Sequence, residues 1–264
     1  MSVYGAMAPM VGHPNSPVIM EPIFAIDMHV RALSTASLGA MANIMRATHL
    51  DEAIFASLCR ESDMYHVLQR CAILVSRMAL TMPPPMFHDM VRATASWPDL
   101  CRRLISTSAT LSHARSRKLV ALGLAHMLRH ASAQDKGLLS AVPDMIGMWT
   151  EVVGEVVEDE AGSADRYERE LSPTRALEIG EDGIPFLDEF GLIEAAPTPS
   201  SARTDAVRSR DPSFNVPLRA YVADTLNAVL QNGSYKTQLQ SLLATIDPLV
   251  LDTLQRGLSE RPVA

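Results

Sequence analysis

From about residue 20 to residue 157, apolar side chains recur every three or four positions, as they do along successive amphipathic helices. Val67, Leu68, Cys71, Leu74, Val75, Met78, Ala79 and Met82 make one such stripe. Pro83, Pro84 and Pro85 end it, because proline lacks the amide a helix interior needs, and proline is also suited to the first turn of a following helix. Ser96-Trp97-Pro98-Asp99 has the form of a capping box, with Ser96 as N-cap and Asp99 three positions on. Leu100, Leu104, Ile105 and Leu111 continue that helix. The run from Arg117 to Leu128 is apolar almost all round, so it must be covered on several sides, as in the inner layer of a stack. A partner helix is predicted over 134–157, with Leu138, Val142, Met145, Ile146, Trp149, Val152, Val153 and Val156 on one face and a kink at Pro143.

Antiparallel helix pairs joined by short turns, in units of roughly 40–47 residues, point to an all-α fold: a HEAT-repeat α-α superhelix, or solenoid. A compact helical bundle would show the same stripes. At Glu158 the pattern stops. Residues 151–195 hold fourteen acidic and three basic side chains, a net charge of −11, and no sustained period runs from 158 to 210. That stretch reads as an acidic, disordered insertion, broken by one apolar islet from Ile184 to Ile193. Helix is predicted again from Asn215. Leu218, Val222, Leu226 and Val229 share a face, and Asn232-Gly233 is a C-terminal stop. Leu239, Leu242, Leu243 and Ile246 form the next stripe, and Asp247-Pro248 starts a last helix carrying Leu251, Leu254 and Leu258. The expected organisation is a disordered segment over 1–19, helical repeats over 20–157, the insertion over 158–210 and a helical repeat cap over 211–264.

Composition agrees with helix. Aromatic residues make up 5% of the chain, while Leu, Ala, Met and Val are abundant. The net charge of −7 argues against non-specific binding to nucleic acid or an anionic membrane, and suits basic partners. Cys59, Cys71 and Cys101 are scattered, odd in number and placed on apolar stripes, which predicts reduced thiols rather than a disulfide framework or a zinc knuckle. The first 22 residues lack the basic and apolar regions of a signal peptide. Glu21, Asp27, His29 and Arg31 interrupt the segment closest to a membrane span.

Candidate chemistry is sparse. His126 and His130, four apart on one helix face with His113 nearby in sequence, have a spacing that can hold a metal, but no HExxH arrangement supports it and no metal is expected. No nucleophile-elbow, dinucleotide or P-loop motif occurs, so neither catalytic residues nor cofactors are predicted. Glu151, Glu155, Glu158, Asp159 and Glu160 are the candidate binding residues, able to steer Lys- and Arg-rich protein cargo; a solvated acidic face is the plainer alternative. Trp97 and Trp149 are expected to be core anchors whose indole N–H groups find partners at repeat edges. Ser172-Pro173 and Thr198-Pro199 are possible phosphorylation motifs within the insertion.

Two stretches carry a family resemblance. Arg117-Lys118-Leu119-Val120-Ala121-Leu122-Gly123-Leu124 with Met127-Leu128 resembles a helix near the carboxy terminus of importin-beta-superfamily (karyopherin) receptors. Asp211-Pro212-Ser213-Phe214-Asn215-Val216-Pro217-Leu218, running on through Gln240 to Asp247 and Leu254, resembles the terminal block of the importin-11 type, and an acidic insertion separates the two blocks in both. The resemblance implies a HEAT-repeat, non-enzymatic receptor that carries protein cargo through the nuclear pore under Ran GTPase control. It further implies nucleoporins as partners, residence in nucleus and cytoplasm and at the nuclear envelope, no direct nucleic-acid binding and no membrane insertion. Such receptors begin with a repeat region that binds Ran-GTP. Nothing in this sequence corresponds to it, so the chain reads as the carboxy-terminal portion of a receptor, and Ran binding falls on none of its residues. The alternative is a helical-repeat scaffold without a transport role.

Overall fold

Caps and prolines set several helix starts. The computed structural model describes residues 3–12, 20–33, 35–60, 64–135, 137–161 and 211–259. Among them are thirteen α-helices: α1 (Val3–Gly12), α2 (Met20–Ala32), α3 (Thr35–Ala47), α4 (Leu50–Cys59), α5 (Tyr65–Thr81), α6 (Pro84–Thr94), α7 (Trp97–Ser108), α8 (Ala114–Arg129), α9 (Val142–Ala161), α10 (Pro212–Asn215), α11 (Leu218–Gln231), α12 (Gly233–Leu243) and α13 (Pro248–Ser259). No strand occurs among the described residues, and no described helix is long and apolar enough to cross a membrane. Pro84 and Pro85 open α6, as expected of residues that need no amide partner there. Ser96 caps α7, its hydroxyl oxygen accepting from the Asp99 amide at 3.3 Å. Asp247 does the same for α13 through the Leu249 amide at 2.8 Å.

The helices stack in rows with a stride of one unit. One row runs α2, α5, α8, α11, each packed on the next. A second runs α4, α7, α9, α13, and α3 packs on α6 between them. A unit therefore contains three elements rather than the expected pair. Starts at residues 20, 65 and 114 put the units 45 and 49 residues apart. That length fits three-helix repeats of the armadillo kind as well as HEAT units. In the third unit a short 3-10 turn, Leu139–Ala141, stands where the middle helix would be.

The core lies between the rows. Every residue of the Val67–Met82 stripe is buried, and from Lys118 to Ala125 all of α8 is buried. The tightest approach is between α5 and α8, at Gly123. A Cβ there would lie 2.8 Å from the Ser76 Cβ and 2.9 Å from its Cα, so the bare glycine lets the two backbones meet.

Three expectations need correction. Within the expected disordered segment 1–19, residues 3–12 form a helix: α1 packs on α4, Val11 is fully buried, and its carbonyl accepts from the Ser57 hydroxyl at 2.9 Å. The partner helix predicted over 134–157 begins only at Val142, because Gly137 at φ +86° turns the chain first. Pro143 is then the second residue of α9 and kinks nothing. In the carboxy-terminal cap, helix begins before Asn215, with Asp211 capping the single turn of α10. Residues 162–210, including the islet and both phosphorylation motifs, lie outside the described residues.

Candidate interaction site

Carboxylates spaced by four on α9 project from one helical face, and Glu151 and Glu155 are such a pair. The structure brings both against Arg117 of α8. Arg117 Nη2 lies 3.2 Å from Glu151 Oε2, and Arg117 Nη1 pairs with Glu155 Oε1. Arg117 is largely covered, whereas the carboxyl side chains are 67% and 42% exposed. One guanidinium thus neutralises half of this pair while leaving carboxylate surface open to solvent. Glu158, Asp159 and Glu160 fall on the last turns of α9, where the backbone alone is described. The charge of the chain is segregated around them. Outside 158–210 the sequence has seventeen acidic and seventeen basic residues, so the whole net charge of −7 belongs to 158–210.

Two buried polar clusters carried no signal in the sequence pattern. In the first, Asp27 and Arg31 of α2, Arg77 of α5 and Asp211 form a quartet of two cations and two anions. Asp27 accepts from Arg77 Nε at 2.8 Å and from Arg31 Nε at 3.0 Å. Asp211 pairs with Arg77 and lies 3.9 Å from Arg31. It also accepts from the Ser213 amide at 3.0 Å. Burial works to raise the Asp211 carboxyl, but Arg77 and Arg31 outweigh it and hold the group below its usual range. A balanced quartet of this kind is the condition under which charges are tolerated in an interior.

In the second, Asp135 sits in the turn after α8 and gathers donors from three elements. Its Oδ2 accepts from the Ser132 amide at 2.7 Å and faces His88 Nδ1 at 3.0 Å, while its Oδ1 accepts from Trp97 Nε1 at 3.1 Å. Burial again acts to raise this carboxyl, and the hydrogen bonds from Ser132 and His88 bring it below its ordinary value. Both tryptophans are core residues with satisfied indoles, Trp149 donating to the Ala121 carbonyl at 3.1 Å.

The candidate metal histidines are engaged otherwise. His126 hydrogen-bonds the Tyr221 hydroxyl of α11 through Nδ1, and the His130 ring lies 4.4 Å away, centroid to centroid. Burial, with His130 nearby, pushes the His126 pKa down to about 4. His113 precedes the first turn of α8, at the opposite end of that helix. Among the described residues no group of three His, Cys, Asp or Glu is placed to hold a metal. Cys71 and Cys101 are buried free thiols, pushed up to about 12 by desolvation, and Cys59 is partly exposed.

Glu151 and Glu155 on α9 stay exposed beside the largely covered Arg117. The family model for importin-11-like TPR repeats matches residues 17–259. The observed stride of 45 and 49 residues exceeds the roughly 34 of a standard TPR unit, though both designs stack antiparallel helices. No curated protein and no solved structure matches the chain.

Proposed function

Since the chain belongs to the importin-11-like family of helical-repeat proteins, we propose that it supplies the cargo-side, carboxy-terminal part of an importin-type nuclear transport receptor. The observation that carries this reading is the family match across residues 17–259, which takes in every described repeat. A stacked solenoid offers a long surface for wrapping a protein partner, and it needs no catalytic group.

The acidic end of α9 is the part of this surface suited to cargo. Glu151 and Glu155 are aligned by Arg117 and remain exposed, and the chain's excess negative charge begins three residues later. Long-range attraction of this kind speeds encounter with Lys- and Arg-rich segments and is screened by salt. Ran-GTP and nucleoporins are partners of the parent receptor in this reading, and the protein shuttles between cytoplasm and nucleus.

Two measurements test it. GTP-loaded Ran should be retained by the full-length gene product, and failure of an intact protein to bind Ran·GTP would defeat the transport role. For the chain itself, fluorescence anisotropy with a Lys/Arg-rich peptide at low salt should show affinity falling about tenfold in Glu151→Lys/Glu155→Lys. Unchanged affinity would remove α9 from the cargo surface.

A further inference from the structure

The buried quartet joins parts of the chain that nothing in their sequence spacing would bring together. Arg77 and Asp211 are 134 residues apart. Asp211 is the first described residue after 162–210, and its side chain ties the segment that follows to α2 and α5. From there α10 to α13 follow, and the last two differ from the repeats in how they are buried. Among the described residues of α12 only Leu239 is fully enclosed, and in α13 only Leu254, while Leu242, Leu243, Ile246, Val250, Leu251 and Leu258 are half-covered. The interface of α11 with α8 is imperfectly satisfied as well. The Thr225 hydroxyl and His126 Nε2 are both buried with no hydrogen-bond partner. By contrast, α5 and α8 approach so closely that a Cβ on Gly123 would lie 2.9 Å from the Ser76 Cα, although the Ser76 hydroxyl is likewise buried with no hydrogen-bond partner.

We infer that the Asp27–Arg31–Arg77–Asp211 quartet is a latch, and that residues 211–259 open from the repeat stack as one cooperative unit when it gives. Regions with few enclosed apolar side chains open at lower free energy than the global core. The latch adds an all-or-none element to that opening, because withdrawing any one member leaves the other three with an unbalanced charge. Withdrawing Asp211 leaves two buried guanidinium groups facing a single carboxylate. Opening uncovers the apolar side of α9, where Gly257 now rests 3.0 Å from Val153 as a hypothetical Cβ would measure it.

Native-state hydrogen exchange on the full chain, across sub-denaturing urea, reads this directly. In the unmodified protein, amides of 218–259 should share one opening, at least about tenfold more frequent than the opening that exposes α5 and α8. Asp211→Asn should speed exchange in 211–259 by a further tenfold or so and leave α4, α6 and α7 unchanged. Adding Arg31→Met restores charge balance and should return much of the lost protection. A single opening common to the cap and to α5 in the unmodified protein overturns the inference, and that result needs no variant to fold. Acceleration of α4 and α7 equal to that of α11–α13, or a double variant as labile as Asp211→Asn alone, also overturns it.

Discussion

Replacing Gly123 with alanine tests the closest contact in the stack. The new methyl carbon would sit 2.8 Å from the Ser76 Cβ, 2.9 Å from its Cα and 3.2 Å from its carbonyl oxygen. Ordinary carbon contacts are about 3.5–4.0 Å, so α5 and α8 must part by roughly 0.6 Å or more. No rotamer change relieves this, because two of the three atoms are backbone. Overpacking typically costs about 1–3 kcal/mol, and a backbone clash belongs at the upper end. Alanine recovers about 1 kcal/mol through its better helix propensity, leaving a net loss of about 2 kcal/mol. For a chain of this size that lowers Tm by about 4–8 °C, readable by circular dichroism. Gly154 on α9 provides the control, since a Cβ there meets nothing within 4 Å. Gly154→Ala should raise stability by about 0.5–1 kcal/mol. Adding Ser76→Gly to Gly123→Ala removes the 2.8 Å contact but not the 2.9 Å one, so recovery should be partial. A Gly123→Ala protein that melts at or above the parent would refute the close packing of α5 on α8.

Acid should weaken the seam between α8 and α11. His126 is lowered from 6.5 to about 4 in the folded protein, so between those values the unfolded chain binds the extra proton. Its contribution is therefore complete above pH 6.5 and declines as pH falls toward 4, by at most about 3 kcal/mol. Urea unfolding at pH 7 and pH 4.5, compared with His126→Phe, should show a flatter pH dependence in the variant; parallel profiles would count against a buried neutral imidazole. Asp135→Asn should destabilise by about 3 kcal/mol, because it withdraws the carboxylate shared by His88, Trp97 and Ser132. Trp97 fluorescence, followed beside circular dichroism, should report the change locally, and an unaltered emission with unaltered stability would contradict the cluster.

Local signals in the sequence were legible because they are repeated within a helix turn or two. The Val67–Met82 stripe, the Ser96 cap and the prolines opening α6 are all set by neighbours within about four residues. The quartet was illegible for the opposite reason. Asp27 and Arg31 look like polar interruptions of an apolar segment, and nothing near them announces Arg77 50 residues on or Asp211 beyond the insertion. Asp135 was hidden in the same way, since its donors come from α6, α7 and its own turn. Helix α1 carries Pro9 and no clear apolar period, and packing of Val11 and the bond from Ser57 hold it. Of the candidate site, the acidic run that holds Glu151 and Glu155 is visible in the sequence; that Arg117 aligns these two required the pairing of α8 with α9.

The stride of the stack also sets an order in time. Contacts from α2 to α5 and from α5 to α8 join segments 45 and 49 residues apart, whereas α8 meets α11 across the 104 residues between their starts. Chains close short separations sooner, since the entropy lost on closure grows with the intervening length. The first three units can therefore assemble while the last is still being synthesised, and α11 closes onto a surface already built. Refolding from urea should accordingly show two phases, with Trp97 and Trp149 reporting the fast one and protection of 218–259 arriving in the slow one.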